Sequence, residues 1–77
     1  MNPNIQFIPK NDACFLCPES VLEFFTEFLK QENINILNRE EAGASDGEPF
    51  YLIEVSDVDL SESKRLIYKF IMLLKSS

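Results

Sequence analysis

The stretch Phe50-Tyr51-Leu52-Ile53-Glu54-Val55 constrains the fold most. Its β-branched and aromatic residues, with one charge and no Gly or Pro, predict a strand. Five of the six side chains are apolar, so both faces need at least partial cover. That pattern belongs to a central strand rather than a solvated edge. Tyr51, Ile53 and Val55 share one face, and Phe50, Leu52 and Glu54 share the other.

The chain of 77 residues fits one domain with one modest core. Before the anchor strand, Ile5-Gln6-Phe7-Ile8 reads as a short strand ended by Pro9, and Lys10-Asn11-Asp12 as turn material. Met1 to Asn4 is expected to be loose. Ala13 to Cys17 has two readings, a strand forming a hairpin with the first or a loop feeding the next helix; the loop is preferred. A helix follows from about Pro18 to Glu32. Pro18 suits its first turn, and Ser20 with Glu23 has capping-box spacing. Val21, Phe24, Phe25, Phe28 and Leu29 form its apolar stripe, with Leu22 widening it, and Asn33 can stop it in a left-handed conformation.

Ile34-Asn35-Ile36-Leu37 predicts the next strand. Asn38 to Pro49 reads as a mobile polar loop with a turn signal at Asp46-Gly47. After the anchor strand, Asp59 and Glu62 form a cap pair for a helix from about Leu60 to Lys75, with Ile67, Phe70, Ile71 and Leu74 on its main stripe.

The order β-α-β-β-α gives an α+β two-layer sandwich, a truncated split βαβ (ferredoxin-like) arrangement lacking its last strand. The first two strands run parallel, with the anchor strand between them. Both helices cover the face of Ile5, Phe7, Ile34, Ile36, Tyr51, Ile53 and Val55. The opposite face then carries Ile8, Leu37, Phe50, Leu52 and Glu54 with no helix to bury them. An uncovered apolar face and a free edge on strand one both mark association surfaces.

Charge narrows the function. Thirteen acids against seven bases give a formal charge of -6, which argues against direct nucleic-acid binding. Residues 40 to 62 hold eight acids and no base, and residues 64 to 77 hold four bases and no acid. The acids Glu40, Glu41, Asp46 and Glu48 can steer a basic partner inward, or simply keep the chain soluble. No His occurs, which removes the usual general base and the commonest neutral metal ligand. No phosphate loop, calcium loop or zinc-ligand cluster is apparent, and no cofactor is expected. The polar start with Pro3 lacks the pattern of a signal peptide, which implies a cytoplasmic protein with reduced thiols. Residues 66 to 74 are too few to span a bilayer.

One compact chemical motif occurs, Cys14-Phe15-Leu16-Cys17-Pro18, a CxxC ahead of a helix. There the first thiol can be held as thiolate by helix amides while the second resolves a mixed disulfide. The motif resembles that of thioredoxin- and glutaredoxin-like proteins. The resemblance implies Cys14 as nucleophile, Cys17 as resolving thiol, and Pro49 in a place like that family's cis-proline. The other reading packs the cysteines as small hydrophobes at the start of the first helix. On balance the sequence reads as a non-enzymatic, acidic protein-binding module: a regulatory adaptor or inhibitor of a larger protein, with homodimerisation possible through the open sheet. Thiol-disulfide chemistry at Cys14 and Cys17 is the alternative.

Overall fold

The computed structural model describes residues 4–9 and 13–76. The elements are β1 Gln6–Pro9, β2 Ala13–Pro18, α1 Leu22–Gln31, β3 Ile36–Ser45, β4 Glu48–Val55 and α2 Leu60–Ser76, with a 3-10 turn at Glu19–Val21 ahead of α1. The four strands form one open antiparallel sheet in the order β1-β2-β4-β3. This is an α+β arrangement consistent with a truncated ferredoxin-like fold, with one strand more than the sequence reading placed. The residues read as a turn at Lys10–Asp12, and the first three read as loose, lie outside the described residues.

Ala13–Cys17 is a strand, not the preferred loop. It pairs with β1 on one side, Phe7 opposite Phe15, and with β4 on the other, Phe15 opposite Ile53. The anchor strand is central as expected, but β2 rather than β1 is its neighbour, so the expected order with strand one beside it is corrected. The cause is apolarity on both faces of residues 13–17, which only a position with a strand on each side and a covered face satisfies. Every neighbouring pair is antiparallel; β2 and β3 both run opposite to β4 and so are parallel to each other, and the expected parallel crossover through α1 starts from β2 rather than from the first strand, with the anchor strand between. Pro18 ends β2 instead of opening a helix.

The expected loop from Asn38 to Pro49 is also corrected. Most of it is β3, paired along β4 from Ile36 opposite Val55 to Ser45 opposite Glu48. Asp46 and Gly47 have φ of 53° and 81°, the positive pair that a two-residue hairpin turn requires. Leu37 and Ala42 are left out of the register, which shifts between Ile36 and Asn38 and between Glu41 and Gly43. These shifts let a long acidic segment run beside β4 without keeping strict alternation.

Both helices cover one face of the sheet, as expected. Phe15, Cys17, Phe25, Leu29, Ile53 and Leu66 are fully buried there, with Phe7, Ile34, Ile36 and Tyr51 packed against them. Aromatic edges tie the layers together. Phe15 lies 5.2 Å from Phe7 and 5.2 Å from Phe25, and Phe25 lies 5.0 Å from Phe70 on α2. Tilted and edge-on pairs of this kind each contribute about 1 kcal/mol beyond burial. Thr26 and Ser63 are buried, but their hydroxyls donate to the carbonyls of Leu22 and Leu60. Phe24 departs from the expected stripe of α1 and is 67% exposed, while Leu22, at the edge of that stripe, is buried as expected.

The helix ends follow local chemistry. Asn33, at φ 63°, closes α1: its N–H donates to Lys30 and that of Ile34 donates to Leu29, the Schellman pairing. Asp59 accepts from the Glu62 N–H at 2.8 Å to start α2. The expected Ser20–Glu23 capping box does not form. Ser20 sits in the 3-10 turn, and its N–H donates to the Glu48 carboxylate at 3.3 Å. Glu32 at the end of α1 ties to α2 through Lys69 at 2.9 Å and Arg65 at 3.7 Å.

Candidate functional site

The face of the sheet turned away from the helices is the candidate site. Strand alternation and the register place its side chains in three cross-strand rows. In the middle row Leu16 on β2 stands opposite Leu52 on β4, between Gln6 and Glu40. One row pairs Ile8 with Cys14, then Glu54 with Cys14 and Asn38. The third pairs Pro18 with Phe50, beside Gly43. The apolar members thus form a band along the two central strands, with Ile8 extending it at one corner. Among the described residues no helix lies over this band. Leu16, Phe50 and Leu52 are half-buried.

Of the residues the sequence pointed to, Ile8, Phe50, Leu52 and Glu54 meet on this face. Leu37 does not keep its expected place. It is left out at a register shift, is 54% exposed and borders a groove beside α1, while Asn38 takes the position opposite Glu54. Glu40 joins the face opposite Leu52. Glu41 lies opposite Tyr51 on the helix side, where burial pushes the phenol up, reinforced by the charges of Glu19 and Glu41. Asp46 is in the hairpin turn. Glu48, at the start of β4, shares the parity of Phe50 and Leu52, and its carboxylate accepts from the Ser20 amide. Leu16 is the member that sequence reading missed. Its signal was its position two residues from Cys14 in an apolar run, which gives it the same parity.

The two cysteines point to opposite faces of β2, because they lie three positions apart along a strand. Cys17 is buried in the core, and Cys14 is half-buried on the outer face; neither forms a disulfide. Three strand residues span about 10 Å between Cα atoms, beyond the roughly 7 Å that a disulfide bridges. Burial, reinforced by the nearby Glu48 carboxylate, pushes the Cys17 thiol up to about 12. The motif ends in a strand and a 3-10 turn rather than at an α-helix N-terminus, and no cis peptide occurs among the described residues, Pro49 included. The features implied by the thioredoxin-like resemblance are therefore not assembled here.

A second uncovered apolar area is a groove of about 410 Å³ between α1 and α2, lined by Phe24, Phe28, Phe70 and Leu73, with Glu27 and Gln31 at its rim. Among the described residues no group of three or more His, Cys, Asp or Glu is placed to hold a metal ion. None of their helices is long and apolar enough to cross a membrane. Compared with family models, with curated proteins and with solved structures, the chain matches none.

Proposed function

We propose that this chain is a small acidic protein-binding module, an adaptor or inhibitor of a larger protein, and that it binds through the outer face of its sheet. The observation that carries the reading is the Leu16–Leu52 pair at the centre of that face, continued by Phe50 and Ile8, with no helix over it among the described residues. Burying such side chains contributes about 25 cal/mol for each Å² removed from water, so a partner that covers them gains directly.

The sheet edges are poorer surfaces. β1 is four residues long and ends in Pro9, and β3 is interrupted by two register shifts and carries Arg39, Glu40 and Glu41. Short, bulged and charged edges resist strand addition. The face is therefore favoured over the edges as the docking surface. Acids dominate the surrounding chain, with a formal charge of -6, and favour a partner with a basic surface.

Site-specific photo-crosslinking in cells tests this reading. A photoreactive residue at Leu52 is expected to give one discrete adduct with another protein, and the same residue at the exposed Ser61 on α2 is expected to give none. The Leu16→Asp exchange should suppress the adduct. Equal, diffuse labelling from both positions, or no adduct from Leu52, contradicts the proposal.

A further inference from the structure

Six large hydrophobic side chains are exposed among the described residues, and four of them lie on the helix layer: Phe24 on α1, and Tyr68, Met72 and Leu73 on α2. Tyr68 and Met72 are four residues apart and so share one side of α2. Phe24 and Leu73 line the groove of about 410 Å³ between the helices, over the buried rings of Phe28 and Phe70. The helices run antiparallel. Glu32 pairs with Lys69, Phe28 packs on Phe70, and Phe24 shares the groove with Leu73, so α1 numbers fall as α2 numbers rise.

Charge is divided between the two helices. Glu27 is the one charged residue lining the groove, and it makes no ion pair among the described residues. The other charges of α1 lie toward β3, where Arg39 holds Glu23 and Lys30 lines the same groove as both. By contrast α2 exposes four bases, Lys64, Arg65, Lys69 and Lys75, and its one acid, Glu62, is half-buried and bound to Arg65. Arg65 and Lys69 also share Glu32. An ammonium has three donors, so Lys69 can serve a second carboxylate.

This division selects one way of covering the layer with a second copy. A twofold axis across the helices lays α1 on α1 and α2 on α2, which opposes Glu27 to Glu27 and bases to bases. An axis along the groove lays α1 of each copy antiparallel on α2 of the other and keeps their levels. Glu27, one residue before Phe28, then comes beside the partner's Lys69, and Phe24 comes over the partner's Leu73. Opposite charges meet twice, and like charges are kept apart. The 17 residues of α2 are about 25 Å long, and two helices side by side are about 20 Å wide. The footprint, about 500 Å² per copy, is below the roughly 800 Å² of a standard interface, which puts the association in the micromolar range.

We propose that the chain forms a twofold dimer through its helix layer, with Phe24, Met72 and Leu73 at the contact and Glu27 of each copy facing Lys69 of the other. This goes beyond the sheet-face reading and does not depend on it. Helix layer against helix layer leaves both outer sheet faces turned outward, so the dimer offers that face twice. Ser61, two turns before Lys69, lies past the end of α1 and outside the contact.

Sedimentation velocity on the full chain, from micromolar to millimolar concentration, is the test. Wild type is expected to pass from monomer to dimer across this range. Phe24→Ser, and independently Leu73→Ser on the other helix, should each weaken the dimer at least about tenfold while the amide spectrum stays that of the folded chain. Glu27→Lys should weaken it by about tenfold, because it sets a base against bases. Leu52→Asp, on the sheet face, should leave it unchanged. Amide shifts on dilution should fall on α1 and α2. Monomer at every concentration overturns the proposal. So does a dimer that survives both Phe24→Ser and Leu73→Ser, one indifferent to Glu27→Lys, or one that Leu52→Asp abolishes. None of these outcomes alters the Leu52 photo-crosslink, whose absence removes the sheet-face reading alone.

Discussion

Phe15 stands directly opposite Ile53 in the register of β2 on β4, and both side chains are fully buried. This pair lies under Phe25 and joins the sheet to the helices. Phe15→Ala is expected to cost about 3–5 kcal/mol, the usual range for deleting a buried aromatic ring. Ile53→Val should cost about 1 kcal/mol. Urea unfolding measures both. A loss below about 1 kcal/mol for Phe15→Ala would place residue 15 outside the core and return Ala13–Cys17 to a loop.

The β3–β4 hairpin depends on a turn with two positive φ angles. Gly47, at 81°, has open space around the position of a Cβ, so Gly47→Ala meets no neighbour and its cost is that of the backbone alone. The expected loss is about 1 kcal/mol, accompanied by weaker protection of β3 amides against hydrogen exchange. Stability and exchange identical to wild type would mean that residues 38–49 are a loop.

Glu32 gives a pH-dependent signature. Its hydrogen bond to Lys69 comes first among the causes that hold its carboxyl below the ordinary range, and the charges of Lys69 and Arg65 act in the same direction, over an opposing contribution from desolvation. A carboxylate with a lowered folded pKa stabilises the fold above its unfolded pKa, and this is lost as pH falls through the folded pKa. Glu32→Gln should therefore lower the urea midpoint at pH 7, and the difference from wild type should disappear as pH falls through the lowered folded pKa. The difference should shrink in high salt, because both basic partners are half-exposed. A gap that persists unchanged at low pH would assign the effect to packing.

Much of this was legible where local chemistry decides the outcome. Asn33 and Asp59 announced helix ends that form as expected, and the parity of Phe50–Val55 identified both the covered and the uncovered face. The omission was β2. Ala13–Cys17 is apolar on both faces, the same criterion that singled out Phe50–Val55, but the CxxC spacing and the following proline drew the segment toward the helix. The hairpin turn at Asp46-Gly47 was visible, whereas the pairing of Arg39 to Ser45 was not. Those residues are exposed, so no burial pattern marks them as a strand, and two register shifts break the alternation. Phe24 shows the converse: helical periodicity includes it in a stripe, but α1 buries Leu22, Phe25 and Leu29 and leaves Phe24 in solvent.

The central claim is that β2 is a strand with a core face and an open face, and its two thiols report on both. Iodoacetamide labelling of the folded chain at pH 8, read residue by residue by mass spectrometry, is the direct measurement. Cys14 should be alkylated, and Cys17, buried with its thiol pushed up to about 12, should stay unmodified until urea unfolds the chain. Mild oxidation should leave the two unlinked within one chain. Protection of both thiols would mean that the outer face is covered. Rapid labelling of both, or a disulfide between Cys14 and Cys17, would contradict the strand and the open face built on it.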